Sequence, residues 1–249
     1  MRDTAFRFKQ FKVAHDKCAM KVNTDGVLLG AWADVTRASR ILDIGTGTGV
    51  IALMMAQRNS NALIDGIDID EHAWLQATEN FANSPWPDRL QAAHIALQQF
   101  IFGQRPAAVE QRETQVTPGY DLIIANPPYF VADFKSGNMQ KDIARHSVTL
   151  SYRDLAEGIA RLLAPAGSVC IVLPLFNLPL LQHLMAGYGL IVNRICEVSA
   201  VAGKPPYLAL IQLQRGGKEL EKTTLCIQNE QGEFTDEYRQ LTKEFYLKF

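Results

Sequence analysis

The chain has 249 residues, 47% apolar and 20% charged, with a formal net charge of −1. That length suffices for one large domain with a real hydrophobic core, and the composition excludes disordered and fibrous classes. A net charge so near zero excludes a globally basic nucleic-acid binder, so any basic surface must be local.

The opening MRDTAFRFKQFK is charged and lacks the apolar core of a signal peptide. No apolar run approaches ~18 residues, so no membrane span is expected, and the expected compartment is the cytoplasm. Residues 1–35 read as an N-terminal basic arm leading into a short helix over 26–32, and residues 36–249 as the main domain. In the arm, Phe6, Phe8 and Phe11 interleave with Arg7, Lys9, Lys12 and Lys17. That composition suits either a solvated face or a contact with RNA, where aromatic stacking and basic groups work together.

From residue 36 onward, strand-like and helix-like segments alternate, the pattern of a doubly wound α/β sheet. The apolar spacing predicts a buried strand over 41–44, a helix over 48–58, a second strand over 62–68 and a helix over 71–83. Ser84-Pro85 stops that helix. A weak third strand over 90–94 and a short helix over 97–102 follow. Residues 104–119 have no periodicity and read as a surface loop, whereas 120–125 (YDLIIA) read as a buried strand. The long polar stretch 126–149 is uncommon in a compact domain, and such loops are more often functional than not. Ser151 opens a helix with Asp154 three residues on, a capping-box-like start, and the helix ends near Leu163. Strands over 169–173, 190–198 and 207–213, a helix over 178–187 and a terminal helix in EFTDEYRQLTKEFYLKF complete the reading. Cys18, Cys170, Cys196 and Cys226 have neither CxxC nor metal-ligand spacing, so they read as small buried hydrophobes and no metal is expected.

The strongest local feature is Asp43-Ile-Gly45-Thr-Gly47-Thr-Gly49, between the first buried strand and its helix. Glycines there let the backbone turn tightly and approach a ligand closely. Ligands of such sheets bind at the carboxyl ends of the strands. Asp68 ends the second strand 19 residues after Gly49, where a carboxylate can accept both hydroxyls of a ribose. A nicotinamide fingerprint beginning at Gly45 requires Gly or Ala at position 50, and Val50 stands there. Asp43 would also lie beside a pyrophosphate. S-adenosylmethionine has no phosphate; it has a ribose for Asp68 and a cationic sulfonium and ammonium end for Asp43, so it is the expected cofactor.

Asn126-Pro127-Pro128-Tyr129 follows YDLIIA at another strand end. An exocyclic amine is a poor nucleophile because its lone pair is delocalised into the ring. Two acceptors, the Asn126 side-chain oxygen and the Pro127 carbonyl, can draw the two N–H bonds aside and leave the lone pair aimed at a methyl group. The prolines hold this geometry stiffly, and Tyr129 supplies a flat face for the target ring. By itself, the four-residue stretch also fits a rigid Pro-Pro turn; paired with the glycine loop, it reads as catalytic.

With these motifs the chain resembles the class I, Rossmann-like methyltransferases. Its opening segment is similar to that of bacterial tRNA1(Val) (adenine(37)-N6)-methyltransferases: Phe8-Lys-Gln-Phe11, then Ala14 to Lys21, then Thr24-Asp-Gly-Val-Leu-Leu-Gly-Ala-Trp32. The closing Glu244-Phe-Tyr-Leu247 is similar too. The resemblance implies a seven-stranded, mostly parallel sheet with one antiparallel strand, S-adenosylmethionine as donor and an adenine beside the tRNA anticodon as target. It implies cofactor contacts from Gly45, Gly47, Gly49 and Asp68, with Lys21, Thr24 and Asp25 near the methionine end. It implies that Asn126, Pro127, Pro128 and Tyr129 hold the base. One departure is Ile95-Ala96-Leu97, where such enzymes often carry an acidic residue for the cofactor's adenine amine. Backbone groups and apolar packing are expected to serve there instead. Phe8, Lys9, Lys12 and Lys17 are the arm's candidates for contact with tRNA, and no obligate protein partner is expected. Competing readings keep the chemistry and move it to a protein glutamine amide or a DNA adenine, or retain the fold as a binding module without catalysis.

Overall fold

The computed structural model describes residues 5–103, 119–127, 150–217 and 219–248. Pro128, Tyr129 and nearly all of the two long predicted loops lie outside the described residues.

Eight strands form the main sheet: β3 (Arg40–Ile44), β4 (Leu63–Asp68), β5 (Leu90–His94), β6 (Tyr120–Ala125), β7 (Leu163–Pro174), β8 (Leu190–Val201), β9 (Leu208–Arg215) and β10 (Glu221–Gln228). Their order is β10-β8-β9-β7-β6-β3-β4-β5. β9 runs antiparallel to both neighbours, β7 and β8, and every other pairing is parallel. This is the doubly wound class expected from the sequence, with one strand more than the seven implied. The extra strand is β10 at the edge, which pairs with β8. Only Leu225 and Ile227 of β10 are buried, behind four exposed residues, so its alternation is short and easily read as loop.

Each strand sends successive side chains to opposite faces, and two cores result. On one face Ile41, Ile64, Leu122 and Ile124 pack with residues of α1 (Thr24–Trp32), α2 (Val50–Arg58) and α3 (Glu71–Ala82). On the other, Leu42, Ile67, Ile123 and Ala125 pack with α4 (Leu97–Ile101), α5 (Tyr152–Leu162) and α6 (Leu178–Ala186). α3 shows why the chain turns helical where it does. The Asp70 carboxylate accepts from the backbone N–H groups of His72 and Ala73, and Ala73, Ala77 and Phe81 then recur at every fourth position to bury one stripe. α5 opens as predicted, with Ser151 accepting from the Asp154 N–H.

The N-terminal arm is a hairpin of β1 (Ala5–Arg7) and β2 (Lys12–Ala14). Phe8 and Phe11 at its turn are buried and stacked on one another, ring centroids 4.6 Å apart, with Tyr246 packed 6.1 Å from Phe8. The hairpin belongs to the same hydrophobic cluster as α1 and α2. Asn80 of α3 clamps it, accepting from the Ala14 N–H at 2.9 Å and donating to the Ala14 and Thr48 carbonyls. Close by, α7 (Asp236–Thr242) and the residues after it supply the Phe245 carbonyl that accepts from the Lys9 N–H at 2.8 Å.

Candidate active site

From β3 the chain winds outward through β4 and β5, then returns to the other side of β3 as β6. The order reverses between β3 and β6, and a doubly wound sheet opens a crevice outside its strand ends at such a point. A cavity of ≈ 810 Å³ lies there, lined by Gly45 and Gly47 after β3, Asp68 at the end of β4, Ile95 after β5, and Asn126 and Pro127 after β6. Its volume is in the range of small-molecule sites.

The glycine loop forms one wall. The N–H groups of Gly45 and Thr46 both donate to the Ile67 carbonyl, at 2.9 and 3.0 Å, which pins the loop to β4. Gly45 and Gly47 have φ of 70° and 56°, the left-handed region that favours glycine. A Cβ on Gly45 would meet nothing within 4 Å, and one on Gly47 only the Gly45 carbonyl at 4.0 Å. Side chains there would project into open space that a ligand can use. Gly49 differs from this expectation. It is buried, caps α2, and a Cβ on it would lie 2.5 Å from the Phe81 ring. It serves packing beneath the loop and does not line the cavity.

The two carboxylates also divide. Asp68 accepts from the Gly47 N–H through Oδ2 and from the Asp70 N–H through Oδ1, each at 2.9 Å. Burial pushes its pKa up while these hydrogen bonds pull it down. A carboxylate offers about four lone-pair sites, so Asp68 can still accept from a ligand. Asp43, expected from sequence to face the ligand's cationic end, is 1% exposed and does not line the cavity. It accepts from the Thr46 hydroxyl at 2.8 Å, and burial raises its pKa to about 7 against the opposing pull of Thr46 and the Ala52 N–H. Its place is under the loop, which it braces.

Ile95, Ala96 and Leu97 line the cavity together with Gln98, so the predicted apolar stretch stands where it was expected, with an amide beside it. Sequence spacing did not reveal that Cys18, Ala19 and Met20 also line the cavity. They arrive because the strap before α1 is tied to α3: the Lys17 N–H donates to Gln76 Oε1 at 2.9 Å, and the Lys17 ammonium pairs with Glu79 at 2.6 Å. No local pattern encodes such a long-range clamp.

Lys21 is exposed, and neither it nor Thr24 or Asp25 lines the cavity. Thr24 and Asp25 instead open α1, where the Asn23 side chain caps the Gly26 N–H at 2.8 Å. A Cβ on Gly26 would sit 3.6 Å from the Asn126 side-chain nitrogen, so the start of α1 abuts the Asn126 strand end. Among the arm's candidates, Phe8 has its ring in the core, so it offers no face to a base. The Lys9 ammonium donates to the Lys243 carbonyl, Lys17 pairs with Glu79, and Lys12 is exposed.

A family model described as the methyltransferase small domain matches residues 20–174. The chain is 43% identical over 250 residues to the tRNA1(Val) (adenine(37)-N6)-methyltransferase of Aeromonas hydrophila, covering 99% of each. It is 42% identical over 249 residues to the enzyme of that name from Parabacteroides distasonis, covering all of both. Among solved structures it is similar to a predicted O-methyltransferase from Agrobacterium tumefaciens, with a TM-score of 0.63 at 16% identity, over 89% of this chain and 96% of that one. That likeness shows the fold, a Rossmann-like methyltransferase sheet.

Proposed function

The chain belongs to the tRNA1(Val) (adenine(37)-N6)-methyltransferase family, and from that premise we propose that it transfers a methyl group from S-adenosylmethionine to the N6 amine of adenine 37 in that tRNA. The observation that carries the reading is the placing of Asn126 and Pro127 on the rim of the cavity that Gly45, Gly47 and Asp68 line. The cavity fits the donor, because the open space over Gly45 and Gly47 would be filled by any Cβ there, and the spare acceptors of Asp68 suit ribose hydroxyls.

When bound, S-adenosylmethionine supplies an electrophilic methyl group. The chain's own residues do the rest. Asp68 would accept from the ribose, and the glycine loop would let the backbone come close. The Asn126 side-chain oxygen and the Pro127 carbonyl accept from the two N–H bonds of the adenine amine, which turns its lone pair toward the methyl group. Tyr129 gives the base a stacking face, and Pro128 stiffens the turn. No general base acts before transfer, because the amine loses a proton only after it gains positive charge. The main contribution is positioning for an in-line displacement. Among the described residues no helix is long and apolar enough to cross a membrane.

Asn126→Ala tests the assignment. Turnover on tRNA lacking its modifications should fall by roughly 100-fold or more, the scale of losing one aimed polar group in a transfer site. Affinity for the donor, measured by calorimetry, should change far less. Equal losses in both would move Asn126 from the target base to the donor.

A further inference from the structure

We infer that a second nucleobase site lies beside the transfer site, an apolar groove in which Phe176 and Tyr207 stack an unpaired base neighbouring the target adenine. The inference rests on the RNA reading above and adds a specificity element to it.

The groove, of ≈ 550 Å³, is lined by Pro174, Leu175, Phe176, Pro206, Tyr207 and Leu208. Topology brings it to the site. β6 and β7 run parallel, with Ala125 opposite Ile171, so Pro174 lies at the same carboxyl edge as Asn126. β9 is antiparallel, with Leu208 opposite Pro174, so its first residues meet that edge while its neighbours end there. The Leu175 N–H donates to the Tyr207 carbonyl at 2.9 Å, which joins the two loops into one surface. Burial, and after it the Asp25 carboxylate at the start of α1, push the Tyr207 phenol pKa up, and α1 also abuts Asn126. By strand spacing, two steps from β6 to β9 place the groove roughly 10 Å from the Asn126 strand end. That offset is too large for the same base and suits the next one.

The chemistry favours a base. Phe176 is 70% exposed and Tyr207 43% exposed, at the ends of two proline-stiffened loops. Rigid aromatic faces bind bases of any sequence, since each base has a π-face. The exposed Lys204, in the loop that carries Tyr207, supplies positive charge for the adjoining phosphate. An enzyme that draws one base out of a loop also leaves its neighbour without a stacking partner, and a ring on the protein can replace it.

The test uses an anticodon stem-loop RNA carrying 5-iodouridine next to the target adenine. After irradiation with the full-length protein, adducts are mapped by peptide mass spectrometry. They should fall on Phe176 or Tyr207. Phe176→Ala and Tyr207→Ala should abolish their adducts and raise the apparent KM for tRNA about tenfold, the scale of one lost stacked base. The KM for S-adenosylmethionine should stay put, and Tyr207→Phe should behave as wild type. Both side chains are exposed, so melting temperatures should not move; a variant that does melt early is replaced by the corresponding leucine. Adducts confined to other segments, or an unchanged KM for tRNA in both alanine variants, would overturn the groove. Crosslinking needs binding and no turnover. A wild-type protein that gives groove adducts but puts no label into RNA therefore refutes the transfer reading and keeps the groove. Variants that slow transfer to a protein glutamine would overturn the groove as an RNA site.

Discussion

Asp68 receives backbone N–H groups, among them those of Gly47 and Asp70, and still faces the cavity. Asp68→Ala should weaken S-adenosylmethionine binding by about 1–3 kcal/mol through loss of hydrogen bonds to a charged acceptor. Calorimetry on a folded variant checks this, and unchanged affinity would remove Asp68 from the donor site. Asp43 sits one strand away and acts on stability. Burial lifts its pKa from the ordinary 3.8 to about 7 in the folded chain. A group raised in this way favours the folded state fully below about pH 4, and that contribution is lost as pH rises through about 7. Asp43→Asn cannot titrate, so its stability should decline less between pH 4 and 7 than that of the wild type. Urea unfolding across that range measures the difference; parallel curves would show that Asp43 carries no such shift. The motif Asp43 to Gly49 announces a ligand loop, but not which members face the cavity. That division depends on Phe81 beneath Gly49 and on Thr46 above Asp43, contacts that composition does not encode.

The N-terminal hairpin shows what an element's sequence discloses and what it conceals. Its interleaved Phe and Lys residues suit either a solvated face or a contact with RNA, and the structure instead buries Phe8 and Phe11. Phe8 and Phe11 face the core because Tyr246 and Trp86 pack against them. These partners lie far along the chain, and local periodicity cannot locate them. Phe8→Ala should therefore destabilise the fold by about 3–5 kcal/mol, as for other buried aromatic truncations, which denaturant unfolding would register. Lys12→Glu, on the exposed side, should leave stability nearly unchanged and raise the KM for tRNA, more so at low salt where phosphate contacts weigh most. A KM unaffected by salt or by this substitution would make the arm a scaffold alone. The central strands and helices were legible because their apolar runs are long and their caps strong, as at Asp70 and Ser151. β10 was not, because its inner face is only Leu225 and Ile227.

At the scale of the whole molecule, the winding reversal between β3 and β6 brings the glycine loop and the Asn126 strand end to one crevice. The same edge receives the start of β9, because among the described strands of the main sheet it alone runs against both neighbours. The glycine-loop cavity, its Asn126 rim and the aromatic groove thus follow the sheet edge in the order β4, β3, β6, β7, β9. The fold class was readable from alternating segments, whereas this lateral order depends on strand pairing that no single segment specifies. Methyl transfer to an unpaired tRNA adenine is tested most directly by the identity of the labelled product. Purified protein is incubated with isotope-labelled S-adenosylmethionine and tRNA lacking its native modifications, and the RNA is digested to nucleosides for mass spectrometry. Label should appear in N6-methyladenosine, mapped to position 37. Label confined to a protein glutamine or to duplex DNA, with none in tRNA, would contradict it.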